Sequence, residues 1–548
     1  MSPKRVPSKF RFKTTDSIGA AAAEDDSEFL KTCFVDTGVL EILKDINDRR
    51  LIVLGRTGAG KSALLSILEQ TEGGRVVRIS PEQLALTYVA NSTILNFFST
   101  IGVNLDPFFK LLWRHVLTIE ILTHHFQQAP ENRPLLDRLR ELFLGASKQD
   151  KDMRQAIRYL EEWGQSFWQD TEFRVKEITN QLETQLDAEI KATLGQKAAS
   201  IGSGIKSAER FTESERTELV SRGQDIISKA QVQDLHKVLR LLDSVLNDKQ
   251  RRYYLIVDGL DENWVEERLR YKLIMALMQT ARDFSEVRHA KVVVALRRDL
   301  IERVFRLTRD SGFQEEKYQS LYLPLVWKKD QILEVLDKRI AHLVRMRYSQ
   351  ATAVTHRDVL PKEFRRMKIG DYISSIAQRP RDIIAFFNAC IAAASNHSKL
   401  GAPELRLAEG EYSRKRVSAI ADEWSADHPT LIDFATILQR RPPSFKVGTI
   451  TDDDIQNLCL DVAAENPGGT GLTQSAMQVV DGPMSPKHFK FLLVRTFYQV
   501  GLVGLKIAPH ETESWVDELG RSVSFPEIND QTSVVVHPAF RRALGVRE

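Results

Sequence analysis

Between Leu51 and Leu65 the chain reads LIVLGRTGAGKSALL, and the residue types in this stretch suit a phosphate. An apolar run ends at Gly55, then Gly60, Lys61 and Ser62 follow at the spacing G-x-x-x-x-G-K-S. Gly55, Gly58 and Gly60 let the backbone curl so that amide N–H groups point inward at phosphate oxygens. Lys61 would set an ammonium on the β- and γ-phosphates, and the Ser62 hydroxyl would complete the shell of a Mg2+ ion. The apolar helix that starts beside them aims its positive end at the same anion. The expected ATP-binding set is therefore Gly55, Arg56, Thr57, Gly58, Ala59, Gly60, Lys61, Ser62 and Ala63.

A second group of residues supplies acids. Tyr253 to Val257 (YYLIV) is a short apolar run that ends in Asp258, followed by Gly259, Leu260, Asp261 and Glu262. A buried parallel strand with acids at its carboxyl end is what a Mg2+-bound phosphate needs opposite the loop. Asp258 is expected to hold the ion through water, and Asp261 or Glu262 to position or activate the attacking water. Lys291 to Leu296 (KVVVAL) is another strand candidate, and Arg297 at its end either senses the nucleotide or pairs with Asp299 or Glu302. Arg306 and Arg309 are candidates for arginine fingers toward a neighbouring subunit. Arg379 and Arg381 open the apolar helix Ile383 to Ala394, with Pro380 in its first turn. From there both arginines are candidates to reach nucleotide phosphates.

The elements that must position these residues follow from pattern and composition. A chain of 548 residues, 42% hydrophobic and 28% charged, has the make-up of several globular domains. With 77 basic against 74 acidic residues, no bulk field argues for nucleic acid. Cys33, Cys390 and Cys459 are far apart and lack C-x-x-C spacing, which fits a reducing compartment and argues against a disulfide or zinc framework. No stretch approaches the roughly 20 apolar residues of a spanning helix. The basic N-terminus has no apolar core after it, so a cytoplasmic protein with no membrane association is expected.

The pattern predicts an α/β fold built on a parallel sheet. Residues 1–27 read as a mobile tail, and 28–122 as the first part of the nucleotide core with a strand at Arg75–Ser80 and helices at Asn91–Phe98 and Pro107–Leu122. Residues 123–250 read as a helical insertion, with long stretches at Phe173–Leu194 and Glu213–Leu246 broken by the glycines of 195–204. That block is either an ordinary solvated insertion or an arm for oligomerisation or a partner. It accounts for the long separation between Lys61 and Asp258. Residues 251–328 complete the core, with a last strand at Leu321–Trp327 whose Pro324 suits an edge. Residues 329–427 read as a helical lid. Residues 428–548 read as a winged helix, short helices followed by a two-strand hairpin. Its helix Pro486–Val500 carries Phe489, Phe491, Leu492, Leu493, Val494, Phe497 and Tyr498, so it resembles a core helix more than a groove reader, and DNA binding by this module is not favoured.

GRTGAGKS at 55–62, IVDGLDE at 256–262, ALRRDL at 295–300, QRPRDI at 378–383 and VVHPAFRRAL at 535–544, with GFQEEKY at 312–318, together resemble a group of bacterial P-loop ATPases related to the STAND and KAP classes of the AAA+-like branch. The resemblance implies an ATP- and Mg2+-dependent switch with a helical lid and a winged helix, acting in signalling or antiphage defence. It implies a Walker A loop at Lys61 and Ser62, a Walker B aspartate at Asp258, and a second acidic pair at Asp261 and Glu262. Arg297 matches a sensor-1-like place, Arg381 a sensor-2-like place, and His537 the winged-helix histidine that faces the β-phosphate of ADP. Gly259 directly after Asp258 departs from the adjacent Asp-Glu pair of ordinary AAA+ enzymes, which leaves the base open between Asp261 and Glu262 and allows slow hydrolysis. The expected function is an ATP-hydrolysing switch, acting as a homo-oligomer or with a separate effector protein. The alternatives are a DNA-associated loader similar to Orc/Cdc6-type ATPases and an ATP-gated scaffold with negligible hydrolysis.

Overall fold

A computed structural model describes residues 10–84, most of 95–127, short pieces of 184–246, 252–308 (except 263), 316–347, 354–516 (except 395) and 523–547. Most of the helical stretches expected at Phe173–Leu194 and Glu213–Leu246, the glycine break between them, and Arg309 lie outside the described residues. The chain divides into two compact units, Asp36–Leu325 and the combination of Met1–Val35 with Val326–Glu548.

The unit Asp36–Leu325 is built on a five-stranded sheet. Its strands are β1 (Ile52–Gly55), β2 (Val76–Ile79), β3 (Tyr253–Val257), β4 (Ala290–Arg297) and β5 (Tyr322–Pro324). All neighbours are parallel, in the order β2-β3-β4-β1-β5. Every residue of β3 is buried, as is β4 up to Leu296, which is why β3 and the Val292–Leu296 part of β4 read as unbroken apolar runs. Pro324 closes the short edge strand β5, where a missing N–H is tolerated. The helices Asp106–Gln127 and Glu267–Asp283 pack their apolar faces into the same core as the sheet. Leu186, Leu219, Leu239, Leu242 and Leu246, described residues of the expected insertion, are buried in that core too. The entry helix Val39–Lys44 is fastened to the sheet from below: buried Lys291 on β4 donates to the carbonyls of Ile42 (2.9 Å) and Asp45 (2.7 Å), and the Tyr254 hydroxyl donates to that of Lys44 (2.7 Å).

The other unit holds two hydrophobic cores. One gathers the helices Lys329–Arg347, Ile369–Ile376, Pro380–Ala393 and Ala402–Glu423. A small hairpin, β6 (Glu363–Phe364) with β7 (Met367–Lys368), joins this group. The N-terminal segment corrects the expectation of a mobile tail over 1–27. Phe10, Phe12 and Ile18 are fully buried in this core, with Phe10 and Phe12 in edge contact at 4.9 Å. Phe12 exchanges backbone hydrogen bonds with the 396–397 turn, and buried Asp26 pairs with buried Arg339. Phe10 and Phe12 alternate on one side of an extended segment, and that apolar anchoring outweighs the polar, small-residue composition around it. Residues 1–9 lie outside the described residues.

The second core belongs to the last part of the chain. Here β8 (Ser444–Lys446), β10 (Ser533–Val536) and β9 (Val503–Lys506) form a three-stranded antiparallel sheet in the order β8-β10-β9, one strand more than the expected hairpin. The helices Asp452–Glu465, Leu472–Val480 and Pro486–Val500 pack on it. In Pro486–Val500, Phe489, Leu493, Val494, Phe497, Tyr498 and Val500 are buried, so this helix serves the core. Ser485 caps its start by accepting from the His488 amide, and Gly501 (φ 82°) ends it in the left-handed region. All three cysteines are buried thiols. No helix of the described residues is long and apolar enough to cross a membrane.

Candidate functional site

β1 runs straight into the glycine loop, and the loop into the helix Lys61–Glu72. Gly58 (φ 80°) and Gly60 (φ 95°) both adopt the left-handed region, which a side chain would strain. Gly55 is fixed by space: a Cβ there would stand 3.0 Å from the Ala59 Cβ. The loop closes on itself through the Ala59 amide and the Arg56 carbonyl (3.1 Å). Gly60 is the N-cap residue and offers no side chain, so none caps the first turn, which holds Lys61, Ser62 and Ala63. Arg56, Thr57, Ser62 and Ala63 are all half-buried around it.

Lys61 folds back over this loop and donates to the carbonyls of Gly55 (3.0 Å) and Arg56 (3.3 Å). Burial pushes its ammonium below the usual lysine range, while Asp261 and Asp258 pull against that shift. Their proximity follows from strand order. β4 lies between β1 and β3, with Gly55 opposite Arg297 and Val257 opposite Val294. Gly55, Asp258 and Arg297 therefore stand at the carboxyl ends of three neighbouring parallel strands, where such sheets open a crevice.

Beyond β3 the chain turns tightly. Gly259 has φ 76°, and a Cβ on it would meet the Glu262 carboxylate at 3.4 Å. The Asp258 Oδ1 accepts from the Gly259 amide (3.0 Å), and the Glu262 amide donates to the Gly259 carbonyl (3.2 Å). Arg270 holds the turn from behind by donating to the Glu262 carbonyl (2.9 Å). Asp261 and Glu262 are exposed at its rim.

Of the two roles that its sequence position leaves open, Arg297 takes the pairing with Asp299. It forms a two-point bond to Asp299 (3.1 and 2.9 Å) and also reaches Asp261 at 3.6 Å. Glu302 pairs instead with Arg298 (3.7 Å). Arg306 is exposed on the helix Arg298–Leu307. The residue that sequence reasoning undervalued is Asp299, which is almost buried and has Arg297 and Arg303 on either side (Arg303 at 3.9 Å). The i,i+4 spacing of Asp299 and Arg303 on a helix was the available signal.

Arg381 and His537 belong to the other unit. There the expectation that Arg379 and Arg381 both reach out needs correction. Arg379 is buried and bonded to buried Asp382 (2.8 Å), and Arg416 approaches the same carboxylate at 3.5 Å. Burial alone would raise the Asp382 carboxyl, but Arg379, Arg416 and His537 hold it below the usual range. Arg381, half-exposed two positions after Arg379, makes no side-chain hydrogen bond or ion pair among the described residues. The His537 Nδ1 accepts from the Ala539 amide (3.2 Å) and so caps Pro538–Arg541, with the ring edge-on to Trp515 at 5.2 Å. That bond puts the proton of the neutral ring on Nε2.

Among the described residues no cluster of three His, Cys, Asp or Glu side chains forms a metal cage. Hard oxygen donors at the loop and at the end of β3 include the Ser62 hydroxyl and the carboxylates of Asp258 and Asp261, of the kind that share a cation with water and phosphate. Residues 330–421, which span the four-helix core of the second unit, match the FunZ-associated C-terminal helical domain. No curated protein matches the chain.

Proposed function

We propose that this chain is a Mg2+-dependent ATPase of the P-loop, STAND/AAA+-like kind, which couples nucleotide state to conformation or assembly. The observation that carries the reading is the convergence of Lys61, Asp258, Asp261 and Arg297 at the carboxyl ends of β1, β3 and β4, beside a loop that only glycine can form. In this reading Lys61 exchanges the carbonyls of Gly55 and Arg56 for phosphate oxygens, and the amides of the Gly55–Ala63 stretch surround the same anion. Ser62 and Asp258 fit Mg2+, which when bound neutralises phosphate charge. Glu262, exposed at the rim of the turn, is the acid we assign as the base that takes the proton of the attacking water, with Asp261, 3.6 Å from Arg297, as the alternative. Arg297 carries its charge to the transferred group.

The three-stranded sheet with its preceding helices supports a winged-helix reading of the last part of the chain, and the helical group at 330–421 supports a lid. Arg381 and His537 are the residues through which those parts would sense nucleotide. A cytoplasmic role in bacterial signalling or antiphage defence, with self-assembly or an effector protein as output, rests on the sequence resemblance.

The test is Mg2+-dependent ATP turnover of the full chain beside Lys61→Ala and Glu262→Gln, with light scattering to follow assembly. Turnover lost in both variants, with nucleotide-dependent assembly, supports the proposal. Turnover equal to that of Lys61→Ala in the wild type removes it.

A further inference from the structure

The hairpin β6–β7 carries an energetic burden that its own fold does not explain. Glu363 stands opposite Lys368 and Phe364 opposite Met367, so Arg365 and Arg366 are a two-residue loop. Both have positive φ, 50° and 61°. Such a turn favours Asn-Gly, and two arginines hold it against a steric penalty. Backbone strain of this sort persists where the side chains are needed.

The two arginines differ in what they do at home. Arg365 donates to buried Glu409 (2.6 Å), whose other oxygen accepts from the Tyr372 hydroxyl (2.7 Å). Phe364, buried against Tyr372 at 4.8 Å, pins the hairpin to the same place. The turn is thus rigidly mounted. Arg366 is exposed at its tip and makes no side-chain hydrogen bond or ion pair among the described residues. The same holds for exposed Lys362 at the base of β6 and for exposed Arg406, one helical turn before Glu409. From Lys362 to Lys368 the chain has four basic residues and one acidic residue, and Met367, the first residue of β7, is 39% exposed. In a chain of net charge +3, this is a local concentration of positive charge.

We propose that the hairpin Glu363–Lys368, with Lys362 and Arg406, is a docking surface for the phosphate backbone of duplex nucleic acid. Arginine forks match phosphate oxygens, and a two-stranded β-ribbon fits a duplex groove. A polymer of uniform negative charge answers the exposed cations Lys362, Arg366 and Arg406 better than the mixed charges of a protein face do. The hairpin and the glycine loop belong to different units of the chain, and the duplex-binding test reads the hairpin without reference to ATP hydrolysis.

The experiment is fluorescence anisotropy of the full chain with a labelled duplex of arbitrary sequence, in KCl from 50 to 200 mM. The wild type is compared with Arg366→Gly and with Lys362→Ala/Arg366→Gly. Arg366→Gly relieves the turn, so its melting temperature should equal or exceed that of the wild type while its duplex affinity falls. The double variant should lose on the order of tenfold or more in affinity at low salt and about two from the magnitude of the log–log salt slope. Three results overturn the proposal: no wild-type binding at 50 mM KCl, equal affinity and slope in all three proteins, or competition by poly-glutamate as strong as by unlabelled duplex, which would assign the surface to an acidic protein.

Discussion

The Arg297 guanidinium grips Asp299 through two hydrogen bonds, 3.1 and 2.9 Å, and extends its third nitrogen to Asp261 at 3.6 Å. One carboxylate orients the cation and the other faces the glycine loop. Arg297→Ala should lower ATP turnover by about 10- to 1,000-fold with a smaller change in nucleotide affinity. Asp299→Asn leaves Arg297 in place but loosens it, so a decrease of about tenfold is expected in kcat, measured by steady-state phosphate release. Equal, near-wild-type turnover in both variants would remove Arg297 from the reaction.

The acid turn separates binding from chemistry. Glu262→Gln should keep ATP affinity within a few fold and lose about 100-fold or more in turnover. Lys61→Ala should lose affinity first, read by titration with a fluorescent ATP analogue. Asp261→Asn frees Arg297 from one partner and should fall between the two in turnover. A turnover in Glu262→Gln close to that of the wild type would transfer the base role to Asp261.

Lys291 predicts a pH effect on stability. It is buried, and burial lowers its ammonium from the usual 10.5 to about 8, with Asp48 and Asp45 opposing. Below pH 8 both folded and unfolded chains hold this proton. Between pH 8 and 10.5 the unfolded chain holds it and the folded chain releases it, so stability rises with pH by on the order of 1–3 kcal/mol. The two carbonyl bonds to the ammonium keep the gain toward the lower end. Urea midpoints from pH 7.5 to 10, followed by tryptophan fluorescence, should climb in the wild type relative to Lys291→Met. Parallel profiles would contradict it.

The N-terminal segment predicts a core defect. Phe12→Ala removes a fully buried ring that faces Phe387 at 6.3 Å, and it should destabilise this unit by about 3–5 kcal/mol. Limited proteolysis should then cut within residues 10–26 before other sites. A solvated tail would show no change in midpoint.

The legible part of the chain was the part whose signals are local. β3 and the Val292–Leu296 part of β4 are continuous apolar runs, and the glycines at 55, 58 and 60 stand where the loop needs them. The acids follow a strand end directly. What was not legible depends on partners far away in sequence. Phe10 and Phe12 are two aromatic residues among polar ones, and their neighbours Phe387 and Asn396 come much later. Arg379 and Arg381 look alike at a helix start. Asp382 lies three residues from Arg379, a readable spacing, but the approach of Arg416 from another helix is what completes the buried cluster. The positive φ values at Arg365 and Arg366 have no sequence signal at all, since that turn is normally announced by Asn-Gly.

The discontinuous second unit has a consequence for synthesis. Phe10, Phe12 and Asp26 emerge from the ribosome long before the helices that bury them, which begin at Lys329. At about 5–20 residues per second, the roughly 300 residues between Val35 and Val326 take on the order of 15–60 s to translate. The intervening unit, whose strands and helices are all made by then, can fold during that delay. The segment 10–26 waits with its aromatic residues uncovered, so a chaperone that shields it, or a translation rate that shortens the wait, would set the yield of folded protein.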